Sequence, residues 1–261
     1  MKKSTFELTV ILPCAGSGSR LGLDTPKELF EILPGIRLID FSLSHIQVAP
    51  PDLAIKIAVV IRTWKQAVAD YVQEKLPGRP VQAVLFDDRF DDWPGSVYSA
   101  RETFSPANLV LLPDSLLDLA GRKSGIMPRC FDEKGLSLLE LVFTNLEKKK
   151  SLFGWVPCSD ATILKDLGAL RVEQGEVTAF QDKPKKDFQL YNGFWGCYAF
   201  REEVSRALYE FLIHSVRQTP LPLEEQPFSP PGAIPLAAYR DFGTWPAIRP
   251  FQAQVSSHIT P

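Results

Sequence analysis

Between Leu8 and Leu112, short apolar runs alternate with amphipathic stretches, and this alternation constrains the fold more than any other feature. Leu8 to Leu12, Ile55 to Ile61, Val81 to Phe86 and Leu109 to Leu112 read as strands. Their β-branched, nearly continuous apolar character is that of strands buried on both faces. Leu38 to Val48, Gln66 to Leu76 and Ser96 to Phe104 read as the helices between them, the second closed by Pro77-Gly78. Strands separated by helices imply a mostly parallel sheet covered on both sides, a Rossmann-like α/β architecture.

The second half has a different rhythm. Leu136 to Lys149 is helical, with Lys148, Lys149 and Lys150 suited to a helix C-terminus. Leu170 to Glu173 and Val177 to Phe180 flank Gln174-Gly175 as a hairpin, a small antiparallel addition. Trp195 to Phe200 reads as a strand and Glu202 to His214 as a helix. Thr219 to Pro235 is proline-rich and reads as an extended surface segment, and the last ten residues read as a short tail. The reading is one domain over 1–261: a nucleotide-binding half to about 125, an acceptor-binding half over about 126–250, then the tail.

Charge narrows the partners. Twenty-nine basic against 31 acidic residues give a net charge of -2, which argues against a nucleic-acid binder. No apolar run has the length of a membrane span, and the Met1-Lys2-Lys3 start followed by Val10 to Cys14 is too short and interrupted by Glu7 to be a signal. Cys14, Cys130, Cys158 and Cys197 are scattered without a C-x-x-C pair. They read as small buried hydrophobes in a reducing, cytoplasmic compartment. His45, His214 and His258 are isolated and are given no catalytic role.

The chemistry starts directly after the first strand. Ala15-Gly16-Ser17-Gly18-Ser19-Arg20-Leu21-Gly22 is followed by Pro26-Lys27-Glu28-Leu29. Glycines at a strand end let backbone N–H groups approach phosphate oxygens closely. Arg20 adds a forked donor and Lys27 a point charge. Neither the Walker A pattern nor the dinucleotide-binding fingerprint is present. The loop is therefore expected to hold a triphosphate in another way, with Leu12, Ala15, Gly16, Ser17, Gly18 and Ser19 at the nucleotide.

Val10 to Ile32 resembles the opening signature of the sugar-phosphate nucleotidyltransferases, the pyrophosphorylases that make nucleotide sugars. The resemblance runs over roughly residues 8 to 246. Arg37-Leu38-Ile39-Asp40 fits the segment that opens the next helix, and Gly95-Ser96-Val97-Tyr98-Ser99-Ala100 resembles the family's Gly-Thr-Ala-x-Ala loop beside the base. Leu112-Pro113-Asp114 is similar to the strand-end Gly-Asp, and Phe180-Gln181-Asp182-Lys183-Pro184 to the Glu-Lys-Pro motif. Tyr191-Asn192-Gly193 resembles the Asn-x-Gly segment at the sugar, and Asp241-Phe242-Gly243-Thr244 the late Asp-x-Gly-Thr. Pro113 stands where the family has Gly, and no Gln precedes the Gly95-Ser96 loop.

The resemblance implies a nucleotidyltransferase (GT-A-like) fold and a Mg²⁺-dependent enzyme joining a nucleoside triphosphate to a sugar 1-phosphate with release of pyrophosphate. It places Gly95 and Ser96 at the nucleotide, with Arg20 and Lys27 as the catalytic cations. Read from the residues alone, Asp114 at the end of a buried strand suits a hard cation, with Asp241 on a turn as second ligand. Asp182, Lys183 and Asn192 are expected at the acceptor. Trp195 and Trp245 suit either sugar stacking or the core.

Asp87, Asp88, Asp91 and Asp92 precede the Gly95-Ser96 loop; a carboxylate aimed at the base would favour the donor edges of guanine or cytosine. Three alternatives stay open: a cytidylyltransferase for a non-sugar phosphate or phosphonate, a catalytically silent nucleotide-sugar-binding regulator, and a glycosyltransferase. The last would show a D-x-D motif that Pro113-Asp114-Ser115 lacks. The partners are thus small phosphorylated molecules, with no nucleic acid or membrane, and a homo-oligomer is left open.

Overall fold

The computed structural model describes residues 7–121, 126–219 and 230–259; the Met1-Lys2-Lys3 start and residues 220–229 of the proline-rich segment lie outside them. The chain runs β1 (Leu8–Pro13), β2 (Glu31–Leu33), β3 (Ile36–Arg37), α1 (Asp40–Gln47), β4 (Ile55–Ile61), α2 (Gln66–Lys75), β5 (Val81–Leu85), α3 (Asp92–Tyr98), β6 (Ala107–Leu111) and β7 (Ser115–Asp118). It continues through α4 (Leu138–Leu146), β8 (Ser151–Pro157), α5 (Ala161–Leu164), β9 (Gly168–Glu173), β10 (Glu176–Asp182), β11 (Gly193–Arg201), α6 (Ser205–Val216), β12 (Gly232–Pro235), β13 (Ala238–Asp241) and α7 (Trp245–Ile259).

Nine strands form one sheet in the order β5-β4-β1-β6-β11-β8-β12-β10-β9, and β9 also pairs back onto β11. The expectation of a mostly parallel sheet is met in its first half; in the second, only β8 and β12 run parallel. In the first half β5, β4, β1 and β6 run parallel. Beyond them β11 is antiparallel to β6, β8 and β9, and β10 is antiparallel to β9 and β12. The sheet is therefore mixed and partly closed. For β9 and β10 the cause is local: they are joined by the tight turn at Gln174-Gly175, which leaves no room for the crossover that parallel neighbours need.

Both faces are covered. Leu8, Val10 and Leu12 of β1 pack with α1, α2 and α4 on one side, and Ile11 points into the cluster under α3 and α6 on the other. This is the two-residue alternation of a strand buried on both faces. A third cluster joins Leu21, Ile32, Leu38 and Phe41 to Phe242, Ile248, Phe251 and Val255. The expected C-terminal tail is in fact the end of α7, whose buried Phe251 and Val255 close that cluster.

Several helix boundaries differ from the sequence reading, those of α3 and α4 with consequences for side-chain placement. α3 starts at Asp92, because Pro94 is tolerated in a first helical turn, so Gly95 and Ser96 are helical rather than in a loop. α4 ends at Leu146, so the three lysines lie beyond it, with Lys149 paired to Glu176 and Lys150 to Glu203. At its start, Ser137 and Glu140 form a reciprocal capping box. Among the described residues no helix is long and apolar enough to cross a membrane.

Candidate active site

One cavity of about 580 Å³ opens where β1, β6, β10 and β13 end, at the carboxyl edge of the parallel half-sheet. Volumes of this order hold a small-molecule ligand. Ala15, Gly16, Ser17, Arg20, Lys27, Ser96, Asp114, Asp182, Lys183 and Asp241 all line it. The fold thus brings together ten of the expected site residues from segments far apart in sequence.

The loop after β1 forms one wall. Gly18 has φ +71, in the left-handed region, and a Cβ there would sit 3.4 Å from Lys27 Cβ; the glycine lets the Lys27 segment close against the loop. Gly18 and Ser19 shape the turn without lining the cavity, and Leu12 lies buried in the strand, with Pro13 at the cavity in its place. Trp245 donates its indole N–H to Leu21 O at 3.0 Å and packs edge-on to Phe30. It braces the loop and does not line the cavity.

Opposite the loop lie two carboxylates. Asp114 directly precedes β7 and Asp241 ends β13; these strands pair antiparallel, with Asp241 opposite Ser115. Phe242 N donates to Asp114 O at 2.8 Å, fixing the two backbones together. Burial and then the charge of Asp114 raise the Asp241 pKa, against the Gly243 N–H at 2.7 Å and the charges of Arg20 and Lys27. Lys27 Nζ lies 2.5 Å from Asp114 Oδ2. Burial disfavours that ammonium, but Asp114, Glu28 and Asp241 outweigh it and hold the Lys27 pKa above its ordinary value. Arg20 is exposed, and its guanidinium lies against Gly243, whose Cβ position would be 3.2 Å from Nη2.

The far end carries Asp182 and Lys183 at the close of β10. Asp182 is buried, and burial raises its pKa; Lys183 and a Trp93 hydrogen bond oppose the rise, and the charge of Asp92 adds to it. Lys183 is exposed with φ +45 and donates its N–H to Leu167 O at 3.0 Å. Trp195 also lines this end, its ring 5.0 Å from that of Trp93.

Besides Leu12, Gly18 and Ser19, three further expectations are not met: Gly95 does not line the cavity but packs against Phe90, and Asn192 and the acidic stretch serve other ends. Asn192 does not line the cavity: its side chain accepts from Val172 N and donates to Val172 O, both at 2.9 Å, and so serves the strand end. An Asn amide copies a backbone peptide in this way, which residue type alone does not reveal. The acidic stretch is largely neutralised by arginines. Asp87 pairs with Arg89 and Arg101, Asp88 with Arg62 and Asp91 with Arg217. Of the four, only Asp92 lines the cavity, and its charge bears on Asp182 at the end of β10.

Sequence reasoning missed Arg62, Trp93 and Asp166, which line the cavity, and the buried Glu28–Lys65 pair behind it. Arg62 directly follows β4, and a strand-end position was the available signal.

No family model matches the sequence, and no curated protein matches it. Solved structures do match in fold. A UDP-glucose pyrophosphorylase complexed with UDP-glucose superposes with a TM-score of 0.72 at 15% identity, covering 97% of this chain and 100% of that one. A UTP-bound UGPase from Acinetobacter baumannii gives 0.71 at 14% identity, covering 98% and 95%. The inositol-1-phosphate CTP transferase from T. maritima gives 0.65 at 12% identity, covering 99% and 100%. The chain has the mixed α/β fold of these nucleotidyltransferases along its whole length.

Proposed function

We propose that this protein is a cytoplasmic, Mg²⁺-dependent nucleotidyltransferase that condenses a nucleoside triphosphate with a sugar 1-phosphate, giving a nucleotide sugar and pyrophosphate. The observation that carries the reading is the single cavity in which Arg20, Lys27, Asp114, Lys183 and Asp241 meet. The names of the fold neighbours point the same way: a pyrophosphorylase with UDP-glucose, another with UTP, and a CTP transferase for inositol 1-phosphate. The four cysteines are free, in keeping with a reducing compartment.

The reaction needs no protein nucleophile. An acceptor phosphate, with a second pKa of about 6, is mostly dianionic at neutral pH and attacks the α-phosphorus in line with departing pyrophosphate. The barrier is anion–anion repulsion and charge growing on the leaving group, which preorganised cations lower. In this assignment the Gly16 and Ser17 backbone and Arg20 hold the β and γ phosphates, on a turn shaped by Gly18 and Ser19. Lys27 lies at the α-phosphate, and Lys183 anchors the acceptor phosphate beside Asp182.

Asp114 and Asp241 would hold the metal. Their donor chemistry fits: two neighbouring carboxylates in mutual repulsion, both hard oxygen ligands. Among the described residues no group of three or more His, Cys, Asp or Glu is built to hold a metal. With two carboxylates only, a bound Mg²⁺ would have to keep water and substrate phosphates as its other ligands, as this ion commonly does. When bound, the ion supplies charge neutralisation and Lewis acidity at the phosphates.

The test is a matrix of ATP, CTP, GTP, UTP and dTTP against sugar 1-phosphates and polyol phosphates, read as pyrophosphate release and as product mass. A nucleotide sugar of the expected mass is the predicted result. No product from any pair counts against the reading.

A further inference from the structure

Behind the cavity wall, Lys65 and Glu28 are both fully buried and paired to each other. Lys65 Nζ has three N–H donors and three acceptors: Glu28 Oε1 and Oε2, each at 2.9 Å, and Cys14 O at 2.8 Å. Taking two charges out of water is costly, and an apolar pair of similar size in such a place is often as stable or more so. The pair therefore calls for a reason beyond stability, and its neighbours supply one.

Glu28 follows Lys27 on one 3₁₀ turn, Lys27–Leu29. On such a turn successive side chains leave the backbone about 120° apart. Anchoring Glu28 in the interior thus sets the direction of Lys27, which reaches Asp114 at the cavity. Glu28 O also accepts from Ile39 N at 3.1 Å, tying the same turn to the start of α1.

Cys14 is the first residue after β1, at the root of the phosphate-facing loop. Lys65 holds the Cys14 carbonyl, and Arg62 Nε holds the next one, Ala15 O, at 3.1 Å. Across a trans peptide the C=O and the following N–H point in opposite directions. With both carbonyls drawn toward the segment after β4, the N–H groups of Ala15 and Gly16 face away from Arg62 and Lys65.

We propose that the Lys65–Glu28 pair is a positioning clamp: it aims Lys27 at the reacting phosphate and holds the root of the loop so that its amides face the triphosphate, without itself touching substrate. The clamp rests on the function proposed above. It extends that reading to residues behind the cavity wall, since neither lines the cavity.

The test compares wild type with the double variant Glu28→Met/Lys65→Met, which replaces the ion pair by apolar side chains. Three quantities are measured: the thermal midpoint, kcat and KM for each substrate, and the acylation rate of Lys27 by a lysine-reactive ester, read by peptide mass spectrometry. The double variant is expected to keep its midpoint, to lose roughly 10- to 100-fold in kcat with the acceptor KM within about twofold, and to show severalfold faster Lys27 acylation. A folded double variant with wild-type Lys27 reactivity overturns the clamp, whatever its turnover. Wild-type kcat in the folded variant overturns it as well. Should the double variant fail to fold, Glu28→Gln, which keeps the shape and weakens the pair, is judged by the same criteria. If wild type turns over no substrate pair, the proposed function fails, and Lys27 reactivity still decides the clamp.

Discussion

Lys27 Nζ lies 2.5 Å from Asp114 Oδ2, so the half-buried cation of the site rests on one of its two neighbouring carboxylates. Asp241 is the second carboxylate, destabilised by burial and by the charge of Asp114. In the proposed assignment Asp114 and Asp241 would hold a divalent cation, whose charge would offset that repulsion and leave Lys27 available to a phosphate oxygen.

The first prediction follows. Asp114→Asn keeps the shape of the side chain and removes its charge, and should lower the rate by about 10²-fold or more. Activity should vanish in excess chelator and return with Mg²⁺ or Mn²⁺. Full turnover in chelator would exclude the metal role of Asp114 and Asp241.

Arg20 and Lys183 sit on different walls of the cavity, one on the loop after β1 and one at the end of β10. Arg20→Ala should therefore raise KM for the triphosphate by roughly tenfold while the acceptor KM stays nearly level, and Lys183→Ala should do the reverse. Steady-state kinetics with each substrate varied in turn decide this. Identical profiles for the two variants would refute the division of the cavity.

The parallel half of the fold was legible because each of its strands is a continuous apolar run between amphipathic helices. Leu8 to Leu12 and Ile55 to Ile61 became β1 and β4 with little change. The strands that went unseen are short or shallow: β7 and β13 have four residues each, and β2 and β3 fewer. β8 alternates too little to stand out, since both of its faces are largely buried. At the site, Gly16 and Arg20 were legible as a glycine loop with a cation directly after a strand, Asp114 as a carboxylate at a strand end, and Lys27 and Asp241 through the short motifs that contain them. Asn192 misled, because a side-chain amide bonded to its neighbour's backbone looks the same in sequence as one aimed at a ligand. The Lys65–Glu28 pair was hidden, because residues 37 apart in sequence carry no local sign that they meet.

Asp92 and Asp88 make a matched pair for the third prediction. Both belong to the same acidic stretch, but Asp92 lines the cavity beside Asp182, whereas Asp88 is turned to Arg62 and is largely exposed. Asp92→Asn should change substrate selectivity, seen as a shift of roughly tenfold in KM for the acceptor or in the ranking of the triphosphates. Asp88→Asn should leave both close to wild type. Equal effects from the two substitutions would mean that the stretch acts only through its overall charge.

Gly168 gives a steric prediction. A Cβ built there would fall 1.8 Å from Trp195 Nε1, far inside any tolerated contact, so the position of this cavity-lining indole depends on the missing side chain. Gly168→Ala should displace Trp195 and change its fluorescence, with a larger effect on the acceptor KM than on the triphosphate KM. An unchanged emission spectrum and unchanged kinetics would show that Trp195 is not held by this contact.

The last prediction concerns acid stability and does not involve the active site. His45 on α1 is fully buried, and its pKa is lowered from 6.5 to about 4, mainly by burial. A ring nitrogen bonds to the Leu117 carbonyl: Nε2 lies 3.0 Å from the oxygen, which fits a neutral ring with its proton on Nε2. Among the described residues Nδ1 has no hydrogen-bond partner, so a second proton would be buried without an acceptor there. The Leu117 carbonyl and the charge of Asp118 favour the imidazolium but do not outweigh burial. The sign follows from proton counts. Between pH 6.5 and 4 the unfolded chain binds a proton at this imidazole that the folded chain refuses, so stability rises with pH across that window. It is fully present above the unfolded pKa and is lost progressively as the pH falls. From pH 7 to pH 5 the loss from this one group should be about 2 kcal/mol, taking 1.4 kcal/mol per pH unit below the unfolded pKa. Replacing His45 by Gln, whose amide can still donate to Leu117 O, removes the titrating group. Urea unfolding at pH 7, 6 and 5 should therefore give a stability that falls less steeply for His45→Gln than for wild type. Parallel curves for the two proteins would show that His45 takes up its proton in the folded state as readily as in the unfolded chain.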